Sequence, residues 1–462
     1  MLSNQASNPT KRASLHGHWS SRMAFVLAVT GSAVGLGNLW KFPYTTGQYG
    51  GGAFVLVYLG CVILIGMPVM MSEILIGRRG RRNPVATMAL LGAEEGKSTN
   101  WSWLGAIGVI AGVLILSYYS VYGGYTVAYI VKILSGVFSN AKATDVIAVR
   151  DAFEGSWVSV GLFHTIFMGL SIFVVARGVE GGLERANKFM VPTLFLLLII
   201  LLGYSMNTGH FAEGLAFMFT PDFSKLTWEA VLAAMGQAFF SLSIGMGAVM
   251  AYGAYLPEET SITTSAAAVA VADTTIAITA GMVIFPLVFA NGLDIGAGPS
   301  LLFITLPLAF GQMTGGTIFG ALFFVLLSFA AWTSAISLLE SAVAWVVEKY
   351  KRSRAEAATL IGVTCWAIGL GTVLSFNVLK DFRFLRGTIY DNIDFLTINV
   401  MLPLGGLFIA IFAGWVMSRN STAEELGGAG ASYRLWRLLV RFAAPTGILF
   451  IFLKAIGLLK LS

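Results

Sequence analysis

The chain contains about eleven apolar runs that are each long enough to cross a lipid bilayer. They lie near residues 22–46, 52–77, 104–136, 157–176, 189–207, 229–255, 264–290, 317–347, 357–378, 392–417 and 436–459. Because the bilayer core offers no water to backbone N–H and C=O groups, such runs cross it as α-helices, whose backbone groups bond to one another. The sequence therefore predicts an all-α polytopic membrane protein with about eleven transmembrane helices.

The composition agrees with this class and disfavours a soluble enzyme or a nucleic-acid-binding protein. Of the 462 residues, 56% are hydrophobic and 11% are charged, whereas soluble domains have about 25% charged residues. The net charge of +6 is modest and gives no reason to expect a nucleic-acid partner. Cys61 and Cys365 are the two cysteines, so the sequence offers neither a disulfide framework nor metal-ligand spacing. No nucleophile–base pair is apparent in the sequence, and we expect no enzymatic activity.

Basic loop residues orient the predicted helices. They follow the second and eighth runs and are Arg78, Arg79, Arg81, Arg82, Lys349, Lys351, Arg352 and Arg354. Since basic loops stay on the cytoplasmic side, we expect a cell-membrane protein with a cytoplasmic N-terminal tail over residues 1–20. The semi-apolar segment 295–315 is interrupted by Pro299 and Pro307. It is expected to form an extracellular capping loop within residues 291–316 rather than a span.

Two of the apolar runs are interrupted near their centres by residues that disfavour a helix. The first contains Gly31-Ser-Ala-Val-Gly-Leu-Gly-Asn38, and the sixth contains Ser241-Leu-Ser-Ile-Gly-Met-Gly247. Glycine loosens the backbone, and each backbone group freed in lipid costs several kcal/mol unless a polar group meets it. Discontinuous helices in corresponding positions of two halves are typical of inverted-repeat transporters and mark the binding site. Close packing of small residues is the alternative explanation.

These segments resemble the neurotransmitter:sodium symporter family, from Trp19 to the eleventh run. The matching motifs are Gly31-Ser-Ala-Val-Gly-Leu-Gly-Asn-Leu-Trp-Lys-Phe-Pro43, Gly50-Gly-Gly-Ala-Phe54, Gly236-Gln-Ala-Phe-Phe-Ser-Leu-Ser243 and Thr333-Ser334. The resemblance implies the leucine-transporter fold, a 5+5 inverted repeat with discontinuous helices one and six. The first repeat would cover residues 21–207, the second 228–418, and an eleventh helix 436–459.

The resemblance also implies two sodium sites. Carbonyl oxygens of an unwound helix, with neighbouring hydroxyls, coordinate sodium in such transporters. The matching residues are Ala33, Asn38, Ser241 and Asp273 at the first site, and Gly31, Val34, Ala330, Thr333 and Ser334 at the second. Most relatives carry asparagine where this chain has Asp273. An ionised Asp273 would supply the negative charge that chloride supplies in other members, so we expect chloride-independent transport. A protonated, hydrogen-bonded aspartate is the alternative.

Gly35 favours an amino acid as the substrate. Monoamine carriers of the family have an aspartate at the matching position, whereas here the space is open to a carboxylate that the substrate brings. The N–H groups of Leu36 and Gly37 and the hydroxyl of Tyr119 would bind that carboxylate. By resemblance, the amine and side chain of the substrate would contact Ala33, Ile115, Tyr119, Phe240, Ser241, Ser243, Met246 and Leu338. An adaptable methionine in this set favours bulky hydrophobic substrates, namely leucine, isoleucine, valine, methionine, phenylalanine, tyrosine or tryptophan.

Gates at both ends of the site are implied in the same way. The outer gate would be Lys41 and Asp394, with Tyr119 and Phe240 as a lid. The inner gate would be formed by Trp19, Tyr255 and Glu348, with His16, Arg12 or Lys11 as the basic partner of Glu348. Glu73 matches a residue that hydrogen-bonds the unwound backbone. Residues 182–191, which begin with Gly182 and precede Pro192, are expected to unwind during transport.

The implied function is sodium-coupled symport of amino acids into the cell by alternating access. The expected partners are sodium ions, the amino acid and the lipid bilayer. Two alternatives remain open at this point. One is a sodium symporter for GABA, betaine or proline, and the other is an amino-acid sensor or sodium channel with the same fold.

Overall fold

A computed structural model describes residues 12–293 and 301–459, which are almost entirely helical. Within these ranges, nine helices are long and apolar enough to cross a membrane: Gly52–Gly80, Thr99–Leu134, Trp157–Ala176, Val179–Ser205, Ile262–Ala290, Gly316–Tyr350, Arg354–Ser375, Ile389–Val416 and Ala431–Ala455. A further span consists of Arg22–Ala33 and Gly37–Gln48, which meet at an angle of 54°. The prediction of an all-α polytopic membrane protein is therefore confirmed.

The first span breaks inside the octapeptide that interrupts its apolar run. Helix Arg22–Ala33 ends at Val34, whose backbone is extended, with φ −73° and ψ 106°. The chain becomes helical again with a π-helical turn over Gly37–Lys41. Val34 N–H completes the helix by donating to the Thr30 carbonyl, and Gly35 N–H, which the break frees, donates to Asn38 Oδ1 at 3.2 Å. These bonds stabilise the break away from water.

The sixth predicted run forms two short helices, Trp228–Ser241 and Ala248–Gly253. Neither half is long enough to cross a membrane alone, so length and composition give up to ten spans where the sequence predicts about eleven. Between them the chain turns through positive φ angles at Ser243, Gly245 and Gly247. A positive φ is easy for glycine but costly for serine. A hydrogen bond of 2.8 Å from Ser243 Oγ to the Ser32 carbonyl holds Ser243 there and ties the two breaks together.

The largest differences from the predicted boundaries lie in the fifth and last spans. The fifth span begins at Val179 rather than 189, with a π-helical turn over Val179–Glu184. Charged residues lower the hydropathy of this segment, but Glu184 is only 4% exposed because it accepts hydrogen bonds from Lys188 at 2.6 Å and from Ser20. The last span begins at Ala431 rather than 436 and ends at Ala455. Arg437, a charged residue within this span, donates hydrogen bonds to the hydroxyls of Tyr433 and Thr422.

Shorter helices lie between the spans. The main ones are Pro84–Glu94, Ala143–Gly155, Phe211–Phe219, Leu306–Gln312 and Arg419–Glu425. In the predicted capping loop, Leu301–Gln312 is apolar but too short for a span, as expected. Residues 294–300 of that loop and 1–11 of the predicted tail lie outside the described residues.

The third and eighth spans, Thr99–Leu134 and Gly316–Tyr350, pack extensively against each other and form the centre of the bundle. The two broken spans pack against this pair. Small residues permit the close approach, since a β-carbon on Gly108 would lie 3.2 Å from Gly247 N and one on Gly112 would lie 3.5 Å from the Met246 carbonyl oxygen. Both breaks therefore lie in the interior of the protein.

Candidate functional site

The breaks bring Asn38 and Ser241 together with Asp273 of the seventh span, Ile262–Ala290. Asn38 Nδ2 donates to Asp273 Oδ1 at 2.7 Å and to Ser241 Oγ at 3.0 Å. Ser241 Oγ in turn donates to Asp273 Oδ2 at 2.6 Å. The three residues are at most 1% exposed. Amide, hydroxyl and carboxylate oxygens are concentrated beside two unwound helix ends, an arrangement that suits sodium. We call these three residues the Asp273 cluster.

A second group of oxygens surrounds Ser334 on the eighth span. Four backbone carbonyl oxygens lie 3.1–3.4 Å from its hydroxyl, and they belong to Gly31, Ser32, Val34 and Ala330. The neighbouring Thr333 hydroxyl bonds to the Ala330 carbonyl at 3.0 Å. A hydroxyl has one proton to donate, so most of these carbonyls are left without that donor. The surplus of converging oxygens suits a monovalent cation. We call this group the Ser334 cluster.

Gly35 lies between the two clusters and has no room for a side chain. A β-carbon at this position would be 2.7 Å from both Ser334 Oγ and Tyr119 Oη. Leu36 N–H donates to the same Tyr119 hydroxyl at 3.2 Å. Because that hydroxyl oxygen accepts from Leu36, its own proton can be donated to another group. The backbone N–H and the tyrosine therefore form a small polar site for an anion.

The predicted substrate residues are buried around this polar site. Relative exposures of Ile115, Tyr119, Ser243, Met246 and Leu338 are between 2% and 8%. Gly112 of the third span lies against the backbone carbonyls of both Met246 and Leu338. A β-carbon on Gly37 would lie 3.0 Å from the Phe240 ring. The structure thus brings these residues of four spans to one place, with Ala33 and Ser241 at the ends of the two broken helices.

Two buried side chains hold the broken backbone. Glu73 Oε1 accepts a hydrogen bond of 2.6 Å from Gly245 N–H, which confirms the predicted contact between Glu73 and the unwound backbone. Gln237 Nε2 donates to the Gly37 carbonyl at 2.9 Å. The sequence did not predict this second contact.

Direct contacts close the end of the bundle that contains Trp19, which we call the Trp19 end. Trp19 is 2% exposed, and its backbone N–H donates to the Tyr255 carbonyl at 3.0 Å. Glu348 lies 2.9 Å from His16 Nε2 and accepts from the backbone and side-chain nitrogens of Asn83 at 2.7 and 2.8 Å. His16 is therefore the partner of Glu348, and Asn83 was missed by sequence reasoning.

The alternative basic partners of Glu348 are not supported. Arg12 forms an ion pair with Glu94 at 2.8 Å instead. Lys11 lies outside the described residues.

Glu340, which had no predicted role, belongs to the same end of the bundle. Its side chain is fully buried. It accepts a hydrogen bond of 2.7 Å from Tyr255 Oη and a bidentate pair from Arg354, one of whose bonds measures 3.1 Å. The turn between the eighth and ninth spans brings Arg354 back over Glu340. The Glu340–Arg354 ion pair therefore helps to hold the Trp19 end closed.

Replacing Arg354 by methionine is expected to destabilise the protein by about 3–5 kcal/mol, because the change leaves the buried Glu340 carboxylate without its counter-charge. Thermal unfolding in detergent can be followed with a thiol-reactive dye, since Cys61 and Cys365 are both buried and unpaired. The matched control is Arg150→Met, which breaks a partly exposed pair with Glu154 and should cost at most about 1 kcal/mol. Equal unfolding temperatures for the two variants would contradict a structural role for the Glu340–Arg354 pair.

The opposite end, which contains Lys41 and Asp394, is not closed in this way. Within the part of the chain that the structure describes, no ion pair joins Lys41 to Asp394, and Lys41 Nζ lies 4.8 Å from the centroid of the Phe240 ring. Both residues line a cavity of about 200 Å³ that reaches Leu36 and Gly37. The two residues of the predicted outer pair therefore line the cavity here and do not form an ion pair. We call this the Lys41 end.

The arrangement matches a known family. The family model described as the sodium:neurotransmitter symporter family matches residues 16–147 and 156–460. The chain belongs to the sodium:neurotransmitter symporter family. This symporter is therefore a multi-pass membrane protein that transports its substrate with sodium, and it is not an enzyme.

Relatives of this symporter cover nearly its whole length. A sodium-dependent transporter of Bacillus subtilis (strain 168), YhdH, is 38% identical over 96% of this chain and 98% of its own. A sodium-dependent transporter of Haemophilus influenzae is 34% identical over 94% of this chain and 97% of its own. The crystal structure of MhsT in complex with L-phenylalanine matches with a TM-score of 0.87 and 43% identity, covering 95% of this symporter and 99% of MhsT.

Proposed function

We propose that this symporter imports amino acids with bulky apolar side chains, coupled to sodium and independent of chloride. The observation that carries the proposal is the environment of Gly35. The hydroxyls of Tyr119 and Ser334 occupy the space that a side chain on residue 35 would need. The protein therefore cannot provide an acidic side chain at this position. The anion at this position must come from the substrate.

The substrate carboxylate would bind beside the first break. Tyr119 Oη accepts from Leu36 N–H and would donate its own proton to a carboxylate oxygen. The backbone N–H groups at the start of Gly37–Lys41 add the positive end of a helix dipole. The amine would face carbonyls of Ala33, Phe240 and Ser241 and the Ser243 hydroxyl. The carboxylate is thus the group that the site recognises in every substrate.

Sodium at the Asp273 cluster would lie next to that carboxylate. Asn38 immediately follows Gly37, and Ser241 immediately follows Phe240, so ligands of the ion and of the substrate come from the same two breaks. Opposite charges about 4 Å apart attract by about 4 kcal/mol at an effective dielectric of 20. Binding of sodium and of substrate would therefore strengthen each other. The Ser334 cluster would hold a second sodium ion, which makes two sites.

The substrate side chain would enter an apolar pocket of Ile115, Phe240, Met246 and Leu338. A flexible methionine adapts to ligands of different shapes. MhsT, which shares the fold over nearly its whole length, was crystallised with L-phenylalanine. Both points support a large apolar amino acid as the substrate of this symporter.

Alternating access would use the two ends of the bundle. We assign Trp19, Tyr255 and Glu348 to a cytoplasmic gate and Lys41 and Asp394 to an external gate, in a cell-membrane protein whose N-terminus is cytoplasmic. The Trp19 end is held by direct contacts while a cavity opens at the Lys41 end. We assign residues 21–207 and 228–418 to the two inverted repeats. Movement of one repeat against the other would close the Lys41 end and open the Trp19 end around a fixed binding site.

Competition for uptake of radiolabelled L-phenylalanine into proteoliposomes tests the substrate class. Unlabelled leucine and tryptophan at about 100-fold excess should abolish sodium-dependent uptake, because both carry the carboxylate and an apolar side chain that the pocket can bury. Glycine and GABA should compete weakly, since glycine leaves the pocket unfilled and GABA separates its amine from its carboxylate. Competition by glycine or GABA alone would contradict the proposed pocket and support the alternative carriers.

A further inference from the structure

Asn187 is a buried amide with an unused oxygen. It lies on the fifth span and is 0% exposed. Its Nδ2 donates a hydrogen bond of 2.8 Å to the Leu183 carbonyl, one turn earlier on the same span. Since the nitrogen end faces that carbonyl, the other end of the amide must be the oxygen. Among the described residues, Asn187 Oδ1 has no hydrogen-bond partner. A buried polar atom without a partner destabilises the folded protein, so this one needs an explanation.

The unused oxygen lies beside Gly31, one of the residues of the Ser334 cluster. A β-carbon on Gly31 would collide with Asn187 Oδ1 and would lie 3.1 Å from Thr333 Cβ. Asn187 Oδ1 and the Thr333 side chain are therefore on the same side of Gly31, whose carbonyl is one of those that converge on Ser334. The oxygen approaches from the fifth span, while the others come from the first and eighth.

We propose that Asn187 Oδ1 is an additional ligand of the sodium ion at the Ser334 cluster, contributed by the fifth span. The inference rests on the proposed use of that cluster as a sodium site. An amide oxygen is a neutral hard ligand, like the backbone carbonyls around it, so it can coordinate sodium without adding a buried charge. Coordination gives the oxygen the partner that the protein does not supply.

The position of Asn187 also couples this ligand to the shape of the fifth span. Its amide is held by the Leu183 carbonyl, and that bond requires residues 183–187 to be helical. The segment starts in a π-helical turn over Val179–Glu184 and is followed by Pro192, which donates no helix hydrogen bond. Unwinding of this segment would withdraw Asn187 Oδ1 from the ion. Sodium at the Ser334 cluster would accordingly favour the helical form of residues 183–187.

Binding of radioactive sodium to the purified full-length symporter tests the proposal. Replacing Asn187 by alanine should raise the sodium concentration for half-maximal binding at one of the two sites about 5-fold, the effect of losing one neutral polar contact. Asn187→Leu, which fills the space without an oxygen, should give the same shift. The selectivity for sodium over lithium should change in both variants, because a ligand has been removed. A merely structural role would leave that selectivity unaltered.

Thr372→Val is the matched control. Thr372 is fully buried on the ninth span, and its hydroxyl also has no partner among the described residues, so the variant removes an unused oxygen away from the cluster. It should leave the sodium isotherm unchanged. An unchanged isotherm in both Asn187 variants, or an equal shift in Thr372→Val, would overturn the proposal. Absence of saturable sodium binding in the wild type would instead overturn the proposed function.

Discussion

Replacing Gly35 by alanine is expected to lower the rate of sodium-dependent L-phenylalanine uptake by about 100-fold. The new β-carbon would lie 2.7 Å from both Tyr119 Oη and Ser334 Oγ, so both hydroxyls must move. Such overpacking typically costs about 1–3 kcal/mol, and the upper end corresponds to about 100-fold. The larger value applies because one hydroxyl serves the substrate carboxylate and the other belongs to the Ser334 cluster. Initial rates in proteoliposomes measure the effect.

Gly60→Ala is the control for this substitution. Gly60 lies within a helix of the second span, and nothing lies within 4 Å of a β-carbon built on it. Alanine should therefore be tolerated there, and uptake should stay within about twofold of the wild type. Wild-type uptake by Gly35→Ala would contradict the account, because it would show that the space at residue 35 is not needed for the substrate.

Replacing Asp273 by asparagine is expected to make transport dependent on chloride. The carboxylate is fully buried and accepts hydrogen bonds from Asn38 and Ser241, so it is the negative charge closest to sodium in the Asp273 cluster. Removing a charge about 4 Å from a cation costs about 3–4 kcal/mol at an effective dielectric of 20. Without chloride, the sodium concentration for half-maximal uptake should rise by about 150- to 700-fold. Chloride should restore much of the loss in Asp273→Asn by supplying the missing charge.

Uptake measured in chloride and in gluconate shows whether the carboxylate of Asp273 takes the place of chloride. The wild type should transport equally in both anions, and Asp273→Asn should transport well only in chloride. Asp151→Asn, which removes an exposed aspartate from the helix Ala143–Gly155, should behave like the wild type. A chloride requirement in the wild type would contradict the role given to Asp273.

Much of the fold could be predicted because lipid limits what a chain can do. Long apolar runs must form helices, and a cluster of glycines with serine or asparagine near the centre of a run allows the helix to break where polar partners are present. The first break falls within residues 34–36 and the second within 242–247, inside both segments that the sequence singled out. The role of Gly35 could also be predicted, because the sequence itself shows that residue 35 has no side chain.

The contacts that the sequence did not reveal depend on charges that find partners elsewhere in the chain. Glu184 looks like a loop residue until Lys188 and Ser20 are seen to surround it, so the start of the fifth span was placed too late. Glu340 acquires its role from Arg354, which folds back over it after the turn. The hydropathy of the neighbouring residues does not predict either pairing. The unused oxygen of Asn187 likewise becomes visible only when the fifth span is placed beside Gly31.

Uptake of L-phenylalanine and of phenethylamine, the same molecule without its carboxylate, tests whether transport requires a substrate that carries its own negative charge. Proteoliposomes with an inward sodium gradient should accumulate L-phenylalanine above its external concentration and should lose it when the gradient is collapsed. Phenethylamine should not accumulate, because nothing in the site replaces the missing carboxylate at Gly35. Equal accumulation of the amine, or movement of L-phenylalanine only down its own gradient, would contradict a sodium-coupled carrier whose substrate brings its own negative charge.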